Sequence, residues 1–181
     1  MPVPPFVAGS VLTAAQMNLG AYQVKTATAA GTATTLTVDD AFTADFRYYR
    51  MFISGTSATA SDLTLQLTTG GVAATTTYYW NQVIRNYNAA NTETNSGGST
   101  SSFLLGALQP ATTDLKSLVM VDILDPAEAR VTGLFSSNFY NTVSARSIMG
   151  GHMKDISYDG FKLTATHNLT LSISIYGFVG A

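Results

Sequence analysis

The run Leu169-Thr170-Leu171-Ser172-Ile173-Ser174-Ile175-Tyr176 decides the fold class. Leu169, Leu171, Ile173 and Ile175 fall on one side of an extended chain, and Thr170, Ser172, Ser174 and Tyr176 on the other. This is the period of a strand with one face buried and one face open. Working outward, Leu63-Thr64-Leu65-Gln66-Leu67-Thr68 repeats the pattern with three Leu on one face. Thr34–Val38, Arg47–Ser54, Thr75–Ile84, Phe103–Leu105, Leu115–Leu124, Arg130–Phe135, Val143–Met149 and Tyr158–Ala165 are alternating, aromatic or β-branched runs of the same kind. Strands therefore recur about every 10–15 residues, with no helical period between them after residue 25. The pattern predicts an all-β chain folded as an antiparallel β-sandwich, jelly-roll-like in type. Parallel α/β folds are excluded, because each parallel connection needs a crossover helix. Gly70-Gly71 marks a turn, and His167-Asn168 falls where a tight hairpin turn is expected.

The chain has 181 residues, no Cys, 46% hydrophobic residues and a formal net charge of −2. That length suits one domain and needs no disulfide staple. Charged residues are 11%, against roughly 25% in an average domain. Thr takes up much of the difference, at about one residue in seven. A surface kept polar by hydroxyls and amides, near zero net charge, does little to repel copies of itself. Much of it is expected to be covered by neighbours. Nine Lys and Arg are too few for broad binding to a phosphate backbone, so no nucleic acid partner is expected. No apolar run reaches transmembrane length, so no membrane insertion is expected. Met1-Pro2-Val3-Pro4-Pro5-Phe6 lacks the basic and apolar regions of a signal peptide.

Residues 1–25 differ from the rest and read as a docking segment. Pro2, Pro4 and Pro5 impose an extended entry. Thr13-Ala14-Ala15-Gln16 is a capping-box pattern, and Ala14–Leu19 with Gly20 after it predicts two helical turns and a stop. So short a helix needs something to pack against. Residues 26–33, all Thr, Ala and Gly, read as a linker. Residues 34–181 read as the sandwich domain, with a long Asn- and Gly-rich loop over 85–102.

The residues offer little for catalysis. His152 and His167 are 15 apart with no ligand spacing, and zero Cys removes thiolate sites. Asp39, Asp40 and Asp45 lack the glycine and bidentate Glu of a calcium loop. No Gly-x-Ser-x-Gly elbow occurs. Glu93 and Glu128 are the only glutamates, and nothing singles out a carboxylate pair with Asp122, Asp125, Asp155 or Asp159. Gly70-Gly71, Gly97-Gly98 and Gly150-Gly151 are not followed by the Lys-Ser/Thr of a phosphate loop. The reading is non-enzymatic, with no cofactor and no metal. Tyr78, Tyr79 and Trp80, with Tyr87 nearby among Asn and Gln, form an aromatic cluster of the kind that stacks on sugars. They are candidate glycan-binding residues, although consecutive strand residues point to opposite faces.

The segment Pro5-Phe6-Val7-Ala8-Gly9-Ser10-Val11-Leu12-Thr13-Ala14-Ala15-Gln16-Met17-Asn18 resembles a leader of tailed-bacteriophage structural proteins. Those proteins open with an aromatic, a small-residue turn, then Val-Leu-Thr-Ala-x-x-Met/Leu-Asn. Asp122-Ile123-Leu124-Asp125-Pro126-Ala127, Gly150-Gly151-His152, Tyr158-Asp159-Gly160-Phe161 and Ser174-Ile175-Tyr176-Gly177-Phe178 resemble phage fibre and head-decoration β-domains. The resemblance implies a virion protein made in the bacterial host cytoplasm. It would be tail-associated, as a fibre or minor tail protein, or alternatively a capsid decoration or head-spike protein. It implies virion docking through Phe6, Val11, Leu12, Met17 and Leu19, and other virion proteins as partners. A homotrimer is expected, with a host surface glycan as a further partner. A carbohydrate-binding module is the alternative from another class.

Overall fold

The computed structural model describes residues 20–86, 93–112, 116–141 and 144–178. Among them the regular structure is all strand. The first seven are β1 (Tyr22–Ala30), β2 (Thr35–Val38), β3 (Tyr48–Ser57), β4 (Ser61–Thr69), β5 (Val72–Ala73), β6 (Tyr78–Asn86) and β7 (Glu93–Thr100). The remaining six are β8 (Phe103–Pro110), β9 (Ser117–Leu124), β10 (Arg130–Asn141), β11 (Ser144–Ile156), β12 (Gly160–Ala165) and β13 (Leu169–Phe178). The larger sheet runs β1-β13-β3-β9-β10-β11-β6-β7, antiparallel at every joint. The smaller sheet runs β2-β12-β4-β8, with β5 folded back on β4. A two-residue parallel contact, Thr56 with Gln109 and Ser57 with Pro110, joins the sheets at β3 and β8. The chain is an antiparallel β-sandwich, as the alternation predicts.

Burial follows the alternation. Leu169, Leu171, Ile173 and Ile175 of β13 are buried, and so are Leu63, Leu65 and Leu67 of β4. With Tyr49, Met51, Ile53, Phe103, Phe161, Val119, Val121 and Ile123 they form one core between the sheets. Each large side chain fully removed from water contributes roughly 1.5–3 kcal/mol. Gly70 and Gly71, at φ 55° and 76°, form the two-residue turn that pairs Thr69 with Val72. Positive φ at both central positions is the type I′ geometry that matches strand twist.

Strand β8 is an edge strand buried inside the molecule. Its outer polar groups are bonded by side chains from the facing sheet. Asn138 Oδ1 accepts from the Ala107 N–H at 3.0 Å, Ser136 Oγ donates to the Leu105 carbonyl at 2.6 Å, and Ser117 Oγ accepts from the Gln109 N–H at 2.8 Å. Buried backbone groups need such partners. Gly106, at φ 141°, lies at the irregularity in the β4–β8 register, and a Cβ there would come within 2.6 Å of the Asn138 side chain.

Three local expectations are corrected. The linker over 26–33 is mostly strand: β1 covers Tyr22–Ala30 and pairs with β13 from Tyr22–Gly177 to Ala30–Thr170. Ala27 and Ala29 pack on the core, so the period of two is present but carried by small side chains. This also places residues 22–25 of the docking segment in the sandwich. The long loop over 85–102 contains β7, which forms a hairpin with β6 in the register Tyr78–Thr100 to Arg85–Glu93. His167-Asn168 is not a hairpin turn. It carries the chain from β12 in the smaller sheet to β13 in the larger, which pairs with β1 and β3.

Candidate interaction face

The outer face of the larger sheet is assembled by register alone. Tyr48 lies beside Phe178 and Leu124, and the row continues through Gly133 and Gly151 to Tyr79. The next row runs Tyr176, Arg50, Asp122, Phe135, Met149, Asn81. The third runs Ser174, Phe52, Met120, Ser137, Ser147, Val83, and the fourth Ser172, Ser54, Leu118, Phe139, Ala145, Arg85. Side chains on this face do not reach the core, because strand residues alternate and their neighbours already fill it. Large apolar groups nevertheless stand here in the open: Phe139 is 62% exposed, Met149 58%, Leu118 46% and Phe52 39%. Single exposed apolar residues are ordinary, whereas a contiguous patch marks an interaction site.

One charged group sits in the middle of this face. Arg50 Nε donates to Asp122 Oδ1 at 2.7 Å and Arg50 Nη2 to Oδ2 at 3.0 Å, a bidentate fork. The Tyr48 hydroxyl donates to Asp122 Oδ1 at 2.5 Å and accepts from Arg50 Nη2 at 2.7 Å. Asp122 holds the Arg50 guanidinium above its ordinary pKa, chiefly by this hydrogen bond. Burial, and then the hydrogen bond to Asp122, push the Tyr48 phenol up. The Tyr48 ring packs on Phe178 with centroids 4.9 Å apart and planes tilted by 48°, and Phe52 meets Tyr176 edge-on at 5.9 Å. The face therefore has no net charge at its centre.

The aromatic cluster is divided by the strand it sits on. Tyr78 is fully buried in the core, and its hydroxyl accepts from the Leu67 N–H at 2.7 Å. Burial pushes its phenol well above the usual range. It is corrected from a glycan-binding candidate to a core residue. Tyr79 is 46% exposed and lies on the outer face. Trp80 points the other way, half-buried against the core, with its indole N–H donating to Thr100 Oγ1 at 3.3 Å. Tyr79 and Trp80 thus do not form one platform. Tyr87 lies outside the described residues, as do Phe6, Val11, Leu12, Met17 and Leu19.

A second cluster escaped the sequence reading. His152, fully buried, stands between Tyr78 and Tyr158, with ring centroids at 4.5 and 5.3 Å. Its Nδ1 is 2.9 Å from the Tyr158 hydroxyl and its Nε2 is 3.1 Å from Thr77 Oγ1. Thr77 Oγ1 donates onward to the Thr76 carbonyl at 2.6 Å. The chain is complete with a neutral ring: Tyr158 donates to Nδ1, and Nε2–H donates to Thr77. Burial lowers the His152 pKa, and Lys154 adds to this in the same direction. Thr77 holds φ 65°, a strained value for a β-branched residue. The cluster borders a groove of about 410 Å3 lined by Val72, Thr76, Lys154 and Ile156 among others. The signal was absent from the sequence, because Tyr78 meets His152 only through the pairing of β6 with β11, and Tyr158 reaches the ring from the connection between β11 and β12. Among the described residues, no group of three His, Cys, Asp or Glu could hold a metal ion. No helix among them is long and apolar enough to cross a membrane.

No family model matches this chain. No curated protein matches it either. Among solved structures, the Caenorhabditis elegans galectin LEC-6 is similar at TM-score 0.36 and 10% identity, over 86% of this chain and 96% of the galectin. A fructofuranosidase from Schwanniomyces occidentalis is similar at TM-score 0.37 and 10% identity, over 88% of this chain and 34% of the enzyme. A lectin from Bauhinia forficata reaches TM-score 0.18 at 7% identity, over 79% of this chain and 76% of the lectin. None of the three likenesses carries an argument about function.

Proposed function

We propose that this chain is a non-enzymatic structural subunit of a tailed-bacteriophage virion. It is tail-associated, as a fibre or minor tail protein, and assembles through its N-terminal leader and its sandwich. The observation that carries this reading is the apolar outer face of the larger sheet, which needs a partner to be covered. The leader resemblance over residues 5–18 supports the virion as the setting. Strand β1 begins at Tyr22, so deleting residues 1–20 removes the leader and leaves every described strand intact. The deleted chain is expected to fold, by circular dichroism, and to be missing from purified particles. Its incorporation at normal occupancy overturns the docking role. Antibody labelling in electron microscopy distinguishes the tail from the alternative placement as a capsid decoration or head-spike protein.

A second reading, a carbohydrate-binding module, is favoured by one observation. Tyr79 is exposed on the outer face with Asn81 next to it on the same side, a stacking ring beside an amide. Saturable binding of a host surface glycan, lost on Tyr79→Ala without unfolding, would support it. Absence of binding across a glycan panel would sink it.

A further inference from the structure

We propose that the outer face of the larger sheet pairs with the same face of a second copy of this chain. This names the partner for the face on which the assembly reading rests.

Three properties of the face point to a copy of itself. The first is area. Six strands from β1 to β11, three on each side of the β3–β9 joint, about 4.8 Å apart, with four side-chain rows about 6.8 Å apart, cover roughly 750 Å2. A stable association buries about 800 Å2 on each partner. The second is composition. Phe52, Leu118, Met120, Phe135, Phe139 and Met149 occupy adjoining strands across the centre of the face. The small Ser54, Ser137 and Ser147 lie among them, so large and small side chains alternate and can interdigitate.

The third property is charge. A foreign partner would have to match the Arg50–Asp122 pair, whereas a second copy matches it by symmetry. The pair's dipole runs across the strands, from Arg50 on β3 to Asp122 on β9. A twofold axis parallel to the strands reverses it in the second copy. Each guanidinium then faces the other copy's Asp122. Arg50 has donors for this, since Nε and Nη2 serve Asp122 and Tyr48 and Nη1 makes no hydrogen bond among the described residues. No charge is buried unpaired, which is the condition for burying ions at an interface. Such an isologous contact closes at two copies, where the sequence reading expects three.

The test is sedimentation equilibrium of the full chain at micromolar concentration, together with particle incorporation. The wild-type chain is expected to run at the mass of two chains. Phe139→Asp and Met149→Glu change exposed side chains, so both variants should fold. Each should weaken self-association about tenfold or more. Arg50→Glu and Asp122→Arg should each be monomeric alone and pair when mixed, because opposite charges then meet across the axis. A monomer at about 100 μM, a mass of three chains, or Phe139→Asp and Met149→Glu variants that remain paired each overturn the twofold contact. A monomeric chain that still enters particles does so too, assigns the face to a different virion protein, and leaves the assembly reading standing. A chain that pairs but never enters particles leaves the twofold contact standing and removes the assembly reading.

Discussion

Asn138 Oδ1 accepts the backbone N–H of Ala107 at 3.0 Å and so closes the buried edge of β8. The Asn138 side chain also donates from Nδ2 to the Leu118 carbonyl at 3.3 Å, holding β10, β9 and β8 in one arrangement. Asn138→Ala leaves the Ala107 N–H buried with no partner. The expected loss is about 1–3 kcal/mol of unfolding free energy, the usual penalty of an orphaned buried donor. Urea denaturation of the variant measures it. Asn138→Asp should restore the acceptor only in part, because it introduces a charge between the sheets.

His152 makes stability depend on pH. Its folded pKa lies below the ordinary 6.5, because burial among Tyr78, Tyr158 and Thr77 disfavours the charged ring. The unfolded chain therefore binds more protons than the folded chain between those two values. Stability from this group is fully present above pH 6.5 and is lost as pH falls through the window below it. Denaturation midpoints should fall from pH 7 to pH 5, and His152→Phe should flatten that slope while lowering stability overall. An unchanged slope in the variant would remove His152 as the cause.

Tyr78 and Tyr79 are neighbours in sequence with opposite surroundings. Tyr78→Phe deletes the acceptor of the buried Leu67 N–H, and a loss of about 1–3 kcal/mol is expected. Tyr79→Phe, on the open face, should shift stability by less than about 0.5 kcal/mol. Thermal unfolding of the two variants side by side checks the contrast. Equal effects would contradict the assignment of β6 faces.

The Arg50–Asp122 pair is partly open to water, with Asp122 14% and Arg50 35% exposed. Asp122→Asn keeps the shape and removes the charge. The chain should lose about 1 kcal/mol. Because salt screens exposed pairs, the difference should shrink in about 0.5 M NaCl. Melting curves at two salt concentrations give both numbers.

Most of the sandwich was legible because its strands carry their own burial pattern. β13 and β4 alternate Leu and Ile with Thr, Ser and Gln, so the inward side can be read without a partner. β1 was not legible, since Ala27 and Ala29 are too small to signal a buried face against Thr26 and Thr28. β7 was hidden by its Asn, Ser and Gly, which favour turns locally. Its pairing with β6 overrides that preference. In the candidate glycan cluster, the rule that neighbours on a strand face opposite ways held. Which neighbour was inside depended on the register of β6 with β11.

By itself the sequence determined the all-β class, the period of most strands and the absence of any familiar catalytic signature, because these rest on side-chain type and local spacing. Only the tertiary structure decided what stands beside what. Arg50 meets Asp122 across 72 residues, and Tyr158 meets His152 beneath Tyr78. It also decided that Phe52, Leu118, Phe139 and Met149 share one open face. The physical reason is that strand pairing is non-local. A one-residue slip in any joint moves every side chain of that strand to the other face, so the face exists only once all the registers are set.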